Sequence, residues 1–259
     1  MLLAVDIGNT NVTLGLFEGD ELAASWRLST DQRRLADEYA LQLSQLLPMK
    51  GIRPDQVREA ALCSVVPPLT GVFAQAAADL FGVEPLIVGA GVRTGVRIRY
   101  DNQHDVGADR VVDAAAAYHF YGGPAIVVDF GTATVFDAIS ADGAYLGGAI
   151  APGLDLAADA LFRGASLLRR VEMAPPPSAI GKNTTHAMQS GLVLGYAGLV
   201  ETMVERFRRE LDAPATVIAT GGLANTMASQ TAAIDVVDEH LTLRGLAHVY
   251  ALNRAEGAD

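Results

Sequence analysis

An apolar run, LLAVDI (residues 2–7), leads into the segment VDIGNTN (5–11), where an aspartate is followed by a glycine-bearing polar turn. The pattern returns as AIVVDF (125–130) leading into VDFGTAT (128–134). One such turn has a local explanation, because β-turns tolerate glycine and asparagine. Two turns, each placed after a matching apolar run, call for a common cause. Val5, Asp6, Gly8 and Val12 recur as Val128, Asp129, Gly131 and Val135, and each copy continues into a strand–turn–strand pattern. The expectation is an α/β chain of two duplicated halves, residues 1–121 and 122–259, joined near Gly122-Gly123.

The intervening segments fit that plan. Residues 37–47 and about 69–81 carry apolar residues at helical spacing, the second after the strand EAALCSVVPP. DVGADRVVDAAAAYHFYGG (105–123) reads as an alanine-rich helix stopped by two glycines. A proline-rich connector, MAPPPSAIG (173–181), precedes a long helix from Thr184 to about Leu211. That helix has one row at Met188, Leu192, Gly195, Leu199 and Met203, and another at Ala187, Gly191, Leu194 and Gly198. Two apolar faces need two buried sides. The second side is either the interior of the same chain or a partner subunit approaching over Gly191, Gly195 and Gly198. TVIATGGLA then reads as strand, turn and helix, followed by a strand at IDVV and a last helix at LTLRGLAHVYALN. The tail NRAEGAD is the one stretch expected to be disordered.

Composition narrows the function. Half of the 259 residues are hydrophobic and the net charge is −11. A large core is available, and a duplex nucleic-acid partner held through its phosphates is disfavoured. The lone cysteine, Cys63, lies in an apolar run and reads as core packing; it excludes an intrachain disulfide framework and a cysteine-built zinc site. No basic leader or bilayer-length apolar stretch is visible, so the expected location is cytoplasmic, with no membrane partner. The single Trp26 and the five histidines show no ligand spacing.

The repeated turn has a chemical use. Glycine lets a backbone approach a ligand closely. Thr and Asn side chains and successive N–H groups suit phosphate oxygens, and a strand-end aspartate suits a hydrated cation. Two such turns facing each other across a cleft would clamp a nucleotide polyphosphate without a lysine, and this chain has two lysines in all. A Walker A loop is absent: the one Gly-Lys pair, Gly181-Lys182, is followed by Asn183, and Pro176 stands where the first glycine belongs.

The duplicated turns resemble those of the actin, hsp70 and sugar-kinase superfamily, with ribonuclease-H-like, actin-like domains. More closely, the chain resembles type III pantothenate kinases. The resemblance runs nearly end to end through DIGNTNVTLGLF, CSVVPPL, YDNQHDVGADRVVDAAAA, DFGTATVFDAIS, LGGAIAPGL, AIGKNTTHAMQSGLVLGYAGLVE and TGGLA. It implies transfer of the ATP γ-phosphoryl group to the primary hydroxyl of pantothenate, the first step towards coenzyme A.

The resemblance also implies roles. Asp109 would be the catalytic base, within a substrate segment of Gly107, Ala108, Asp109 and Arg110. From the residues alone, the helix-dipole role is the better reading of Asp109; Asp105 could serve the same purpose, with Asp113 a turn further on, and it is the resemblance that reverses the order. Arg110 would offer a forked donor to the substrate; otherwise it is a surface ion pair. Asp6, Ile7, Gly8, Asn9, Thr10, Asn11, Val12 and Thr13 would hold ATP and, through Asp6, its Mg²⁺; Thr132 would contact phosphate. Asp129 would bind a monovalent cation, K⁺ or NH₄⁺. Tyr100 would border the pantothenate pocket, and Thr184 would reach the active site of the neighbouring subunit in a homodimer. One position departs from the family pattern: Val135 stands where the second turn commonly has a threonine. The competing readings are a kinase or phosphatase of the same superfamily with another small substrate, and a regulatory protein that binds nucleotide without turnover.

Overall fold

The structure, a computed structural model, describes residues 1–254. Of the tail expected to be disordered, Asn253 and Arg254 end a helix, and the remainder lies outside the described residues. The chain divides into two compact units. The first comprises residues 1–97, 101–116 and 241–254; the second comprises residues 98–100 and 117–240.

The first unit is built on a five-stranded sheet. Its strands are β1 (Leu2–Ile7), β2 (Asn11–Glu18), β3 (Glu21–Ser29), β4 (Glu59–Ser64) and β5 (Leu86–Ile87), in the order β3-β2-β1-β4-β5. β1 pairs antiparallel with β2 and parallel with β4. β1 is packed on both faces of its sheet, which explains why LLAVDI has no polar alternation before Asp6. Its side chains nevertheless alternate in direction. Leu3, Val5 and Ile7 join one core with Tyr39 and Leu43 of α1 (Ala36–Leu46) and Leu69, Phe73 and Ala76 of α2 (Pro67–Phe81). Leu2 and Ala4 join another with Val112 and Ala115 of α3 (Ala108–Tyr121) and Leu243, Leu246 and Val249 of α8 (Leu241–Arg254). The sheet is therefore layered by helices on both sides, and Asp6, in step with Leu2 and Ala4, belongs to the α3 side.

Local signals account for the helix ends. Pro67 and Pro68 occupy the first turn of α2, where a missing N–H costs nothing, so they open that helix instead of merely ending β4. α3 begins at Ala108, three residues after the expected Asp105, which lies in a short 3₁₀ turn (Gln103–Asp105). It stops at Gly122, whose φ of 77° suits the residue beyond a helix C-terminus. α8 approaches α3 closely at Gly245, where any Cβ would run into the Val112 carbonyl.

The second unit repeats the strand order. β7 (Ala125–Phe130), β8 (Ala133–Ile139), β9 (Ala144–Pro152), β10 (Thr216–Thr220) and β11 (Val236–Val237) run β11-β10-β7-β8-β9. β6 (Arg97–Ile98) adds an edge strand beyond β9. As in the first sheet, the central strand pairs antiparallel with the hairpin that follows it and parallel with a later strand. Ile126, Val128 and Phe130 face a core shared with Leu154 of α4 (Leu154–Gly164) and with Val193, Ala197, Val200 and Val204. The long helix appears as α5 (Thr184–Gln189), a π-helical turn (Ser190–Leu194) and α6 (Gly195–Leu211) in succession, and α7 (Ala224–Ala228) follows β10.

A single cut near Gly122-Gly123 does not coincide with these compact units. The division falls inside α3, and α8 packs with β1, β2 and β4 despite following the whole second unit in sequence.

Candidate active site

In the first unit, the β1–β2 turn is closed by the Gly8 N–H donating to the Asn11 carbonyl at 3.0 Å. A Cβ at Gly8 would stand 3.0 Å from that same oxygen, so the turn needs glycine for space. Thr30, just past β3, ties the turn at two points. Its hydroxyl donates to the Gly8 carbonyl at 2.6 Å, and its N–H donates to the Thr10 carbonyl at 3.0 Å. Asn9, Thr10 and Asn11 are left exposed on the tied turn, while Ile7 and Val12 are fully buried towards α1 and α2. Only the backbone of those two residues is available to a ligand. Thr13 pairs directly with Asp6 and stands beside it on the α3 side.

Asp6 and Asp109 interact electrostatically on that side. Burial pushes the Asp6 carboxyl up to about 7, the charge of Asp109 adds to the rise, and a hydrogen bond from the Cys63 thiol opposes it. Cys63 is opposite Asp6 in the β1–β4 register and donates to Asp6 Oδ1 at 3.4 Å. It is fully buried, as expected for core packing, and it also touches the carboxylate. Asp109 lies in the first turn of α3. Burial raises its pKa too, offset in part by the Arg110 N–H, which donates to Asp109 Oδ1 at 2.8 Å, and by the Arg110 charge. A Cβ at Gly107 would run into that carboxylate oxygen, so the glycine before α3 makes room for the aspartate two residues on. Two carboxylates of raised pKa on one sheet face are suited to holding a cation and to accepting a proton.

In the second unit, the matching turn is closed by the Gly131 N–H donating to the Ala133 carbonyl at 3.0 Å, the counterpart of the Gly8 bond. Asp129 is flanked by two glycines. A Cβ at Gly131 would stand 3.2 Å from Asp129 Oδ2, and one at Gly221, whose φ is +89°, would run into Oδ1. The TGG turn after β10 therefore shapes the space around this carboxylate, which bare glycine backbone borders on two sides. Gly153 supports the turn from behind: its N–H donates to the Thr132 carbonyl at 3.1 Å, and no side chain fits there. Thr132 is exposed. Val135 pairs with Asp129 across the hairpin.

Tyr100 is part of the second unit and is 38% exposed, with one ring edge against Gly147. Thr184 is exposed at the start of α5, which is capped by Asn183: its side chain accepts from the His186 N–H at 2.8 Å. Thr184, Gly181, Lys182, Met188 and Leu192 line a cavity of about 650 Å³.

A family model for type III pantothenate kinase matches residues 2–206. The chain belongs to the type III pantothenate kinase family. A relative from Roseiflexus sp. (strain RS-1), a type III pantothenate kinase, is 52% identical over 255 residues, covering 98% of this chain and 100% of its own. Among solved structures, a Campylobacter jejuni protein described as a Baf family transcriptional activator superposes with a TM-score of 0.63 at 20% identity, covering 98% of this chain and 99% of its own. A ROK hexokinase from Thermus thermophilus gives 0.52 at 15% identity, covering 97% and 99%. These distant likenesses show the sugar-kinase, actin-like fold, in agreement with the repeated strand order. As a family member the chain is a phosphotransferase whose ATP-dependent reaction requires a divalent metal. No helix among the described residues is long and apolar enough to cross a membrane.

Three supports of these turns and carboxylates were not read from the sequence. Thr30 looks like any strand-end threonine, and its two bonds to the turn depend on the β2–β3 hairpin bringing it back. The thiol–carboxylate contact of Cys63 depends on parallel pairing across a long sequence separation. Gly153 was quoted within a family motif, but nothing local marks it as the brace of a turn twenty residues earlier.

Proposed function

We propose that the chain phosphorylates pantothenate at its primary hydroxyl, with Asp109 as the base and the β1–β2 turn as the seat of the ATP phosphates. Family membership supports the reaction. The observation that carries the residue assignment is geometric: Asp6 lies on the β1 face that packs against α3, and Asp109 stands in the first turn of α3 with Gly107 leaving room for its carboxylate. The paired carboxylates divide the labour that phosphoryl transfer demands, one for charge and one for a proton.

Asp109 accepts the proton from the attacking hydroxyl. Burial raises its basicity, and the Arg110 N–H fixes the carboxylate orientation. Arg110 directs a forked donor at the polar end of pantothenate. Asn9, Thr10, Asn11 and Thr13 surround phosphate oxygens, with the backbone of Ile7, Gly8 and Val12, on a turn that Thr30 keeps from opening. Asp6 would hold the divalent ion that arrives with ATP, and that ion would supply charge neutralisation at the phosphates. Thr132 contacts phosphate, and Asp129, between Gly131 and Gly221, takes a monovalent cation, K⁺ or NH₄⁺.

The protein acts as a homodimer, with Thr184 of one chain reaching the substrate of the other. A Cβ added at Gly191, Gly195 or Gly198 meets nothing within 4 Å beyond its own stretch of helix, so the glycine row serves no close packing against other parts of this chain. Thr184 and Ala187 are exposed along the same helical run.

The test is direct. Purified protein is incubated with ATP, Mg²⁺ and pantothenate in potassium or sodium salts, and phosphopantothenate is measured. Product in potassium supports the reading; a folded dimer that yields none rejects it. Asp109→Asn should lower kcat by about 10²–10⁴-fold with ATP binding retained. Unchanged turnover would remove Asp109 from its role.

A further inference from the structure

Tyr100 is held by a small assembly in the second unit that no assignment above uses. β8 and β9 pair with a register shift at Ala138/Ile139, where Ala138 faces Gly147 but Ile139 faces Tyr145. Leu146 is the extra residue of a β-bulge, and Gly147 beside it has a φ of +114°. Bulges re-aim side chains and gather near active sites. Here the bulge presents a bare Cα to the Tyr100 ring: a Cβ at Gly147 would stand 3.1 Å from Cε2 and 3.3 Å from Cδ2. On the other side of the bulge, the Tyr145 ring is tilted 44° to Tyr100 with centroids 6.1 Å apart. Tyr145 is fully buried, and its hydroxyl donates to Asp137 Oδ1 at 2.9 Å, a carboxylate that is itself 2% exposed. The Tyr145 carbonyl accepts the Arg99 N–H at 2.8 Å, which fastens the backbone next to Tyr100. The ring is thus set by a glycine contact, by a buried aromatic neighbour locked through its hydroxyl, and by a main-chain bond.

We infer that Gly147 and the Tyr145–Asp137 pair are positioning residues for pantothenate, acting by fixing the ring of Tyr100 at the wall of the substrate pocket. The inference rests on the reading that Tyr100 borders that pocket. None of the three touches the reacting atoms. Their disturbance should raise KM for pantothenate while kcat and KM for ATP hold, the pattern of lost substrate binding common to ground and transition states.

A mutant cycle separates this role from a merely structural one. Tyr100→Ala, Gly147→Ala, Tyr145→Phe and the doubles with Tyr100→Ala are compared by steady-state kinetics, with folding checked by circular dichroism. Tyr100→Ala and Gly147→Ala should each raise KM for pantothenate about tenfold, and Tyr145→Phe several-fold. In the Tyr100→Ala background the second substitution should add nothing, because residues acting through one side chain are not additive. If Tyr100→Ala raises KM but the other singles do not, or if their effects multiply in the doubles, the inference is overturned and the placement of Tyr100 survives. If Tyr100→Ala leaves KM unchanged, that placement fails and the inference with it. Gly147→Ala strains a left-handed residue; should it not fold, the Tyr145→Phe cycle decides by the same criteria.

Discussion

Asp6 shows how one residue can connect stability to ligand chemistry. Its pKa of about 7 lies well above that of a carboxyl in an unfolded chain. Between those values the folded protein binds more protons than the unfolded one. The stabilisation is therefore complete below about pH 4 and is lost as pH rises through about 7. Protein free of ATP and metal should melt at lower temperature at pH 8 than at pH 5.5 through this contribution. Asp6→Asn should flatten that difference, as read by thermal melts across the range; an unchanged profile would mean that the carboxyl is not withdrawn from water. Gly221 poses a second test. Gly221→Ala combines a φ of +89° with a collision at the Asp129 carboxylate, so it should cost more than about 1 kcal/mol in urea unfolding. It should also abolish the difference between potassium and sodium in the activity assay.

At the scale of elements, the sequence showed most where burial and period agree. β1 and β7 were legible because a strand enclosed on both faces has to be apolar along its length. The hairpins and α3 followed from turn residues and a helical period. The start of α3 was placed too early because Asp105 suits the first turn of a helix, but the chain makes a 3₁₀ turn there and Val106 is extended before Ala108. No element was assigned to Leu154–Gly164, where the structure has α4, and the two-residue β6 has no periodicity to detect. Within the site, the aspartates and glycines were visible as a repeated pattern. Their supports were not, since Thr30, Cys63 and Gly153 act through contacts made by folding. Thr30→Val tests one such support. It removes the hydroxyl bond to Gly8 while keeping the side-chain shape, and should lower stability by about 1 kcal/mol in denaturant unfolding. KM for ATP should rise while KM for pantothenate holds.

For the whole molecule, the dimer reading makes a prediction that no single-chain account shares. If Thr184 serves the neighbouring chain, Asp109→Asn and Thr184→Ala proteins should each be nearly inactive alone. Mixed under conditions that exchange subunits, they should regain activity, because a hybrid dimer holds one site with both native residues. Gly195→Arg should leave the fold intact, since Gly195 is exposed and a Cβ there has open space beyond its own helix, yet yield monomers by light scattering. The return of α8 to the first unit carries a further consequence. The α3 and α8 side of the β1 sheet lacks one of its two helices until all of residues 117–240 have been synthesised. That face of the sheet is thus fully covered only by a segment made after the whole second unit. The half that begins the chain is completed last, and a nascent polypeptide arrested at His240 should leave Leu2, Ala4 and Ala61 open to protease and chaperone.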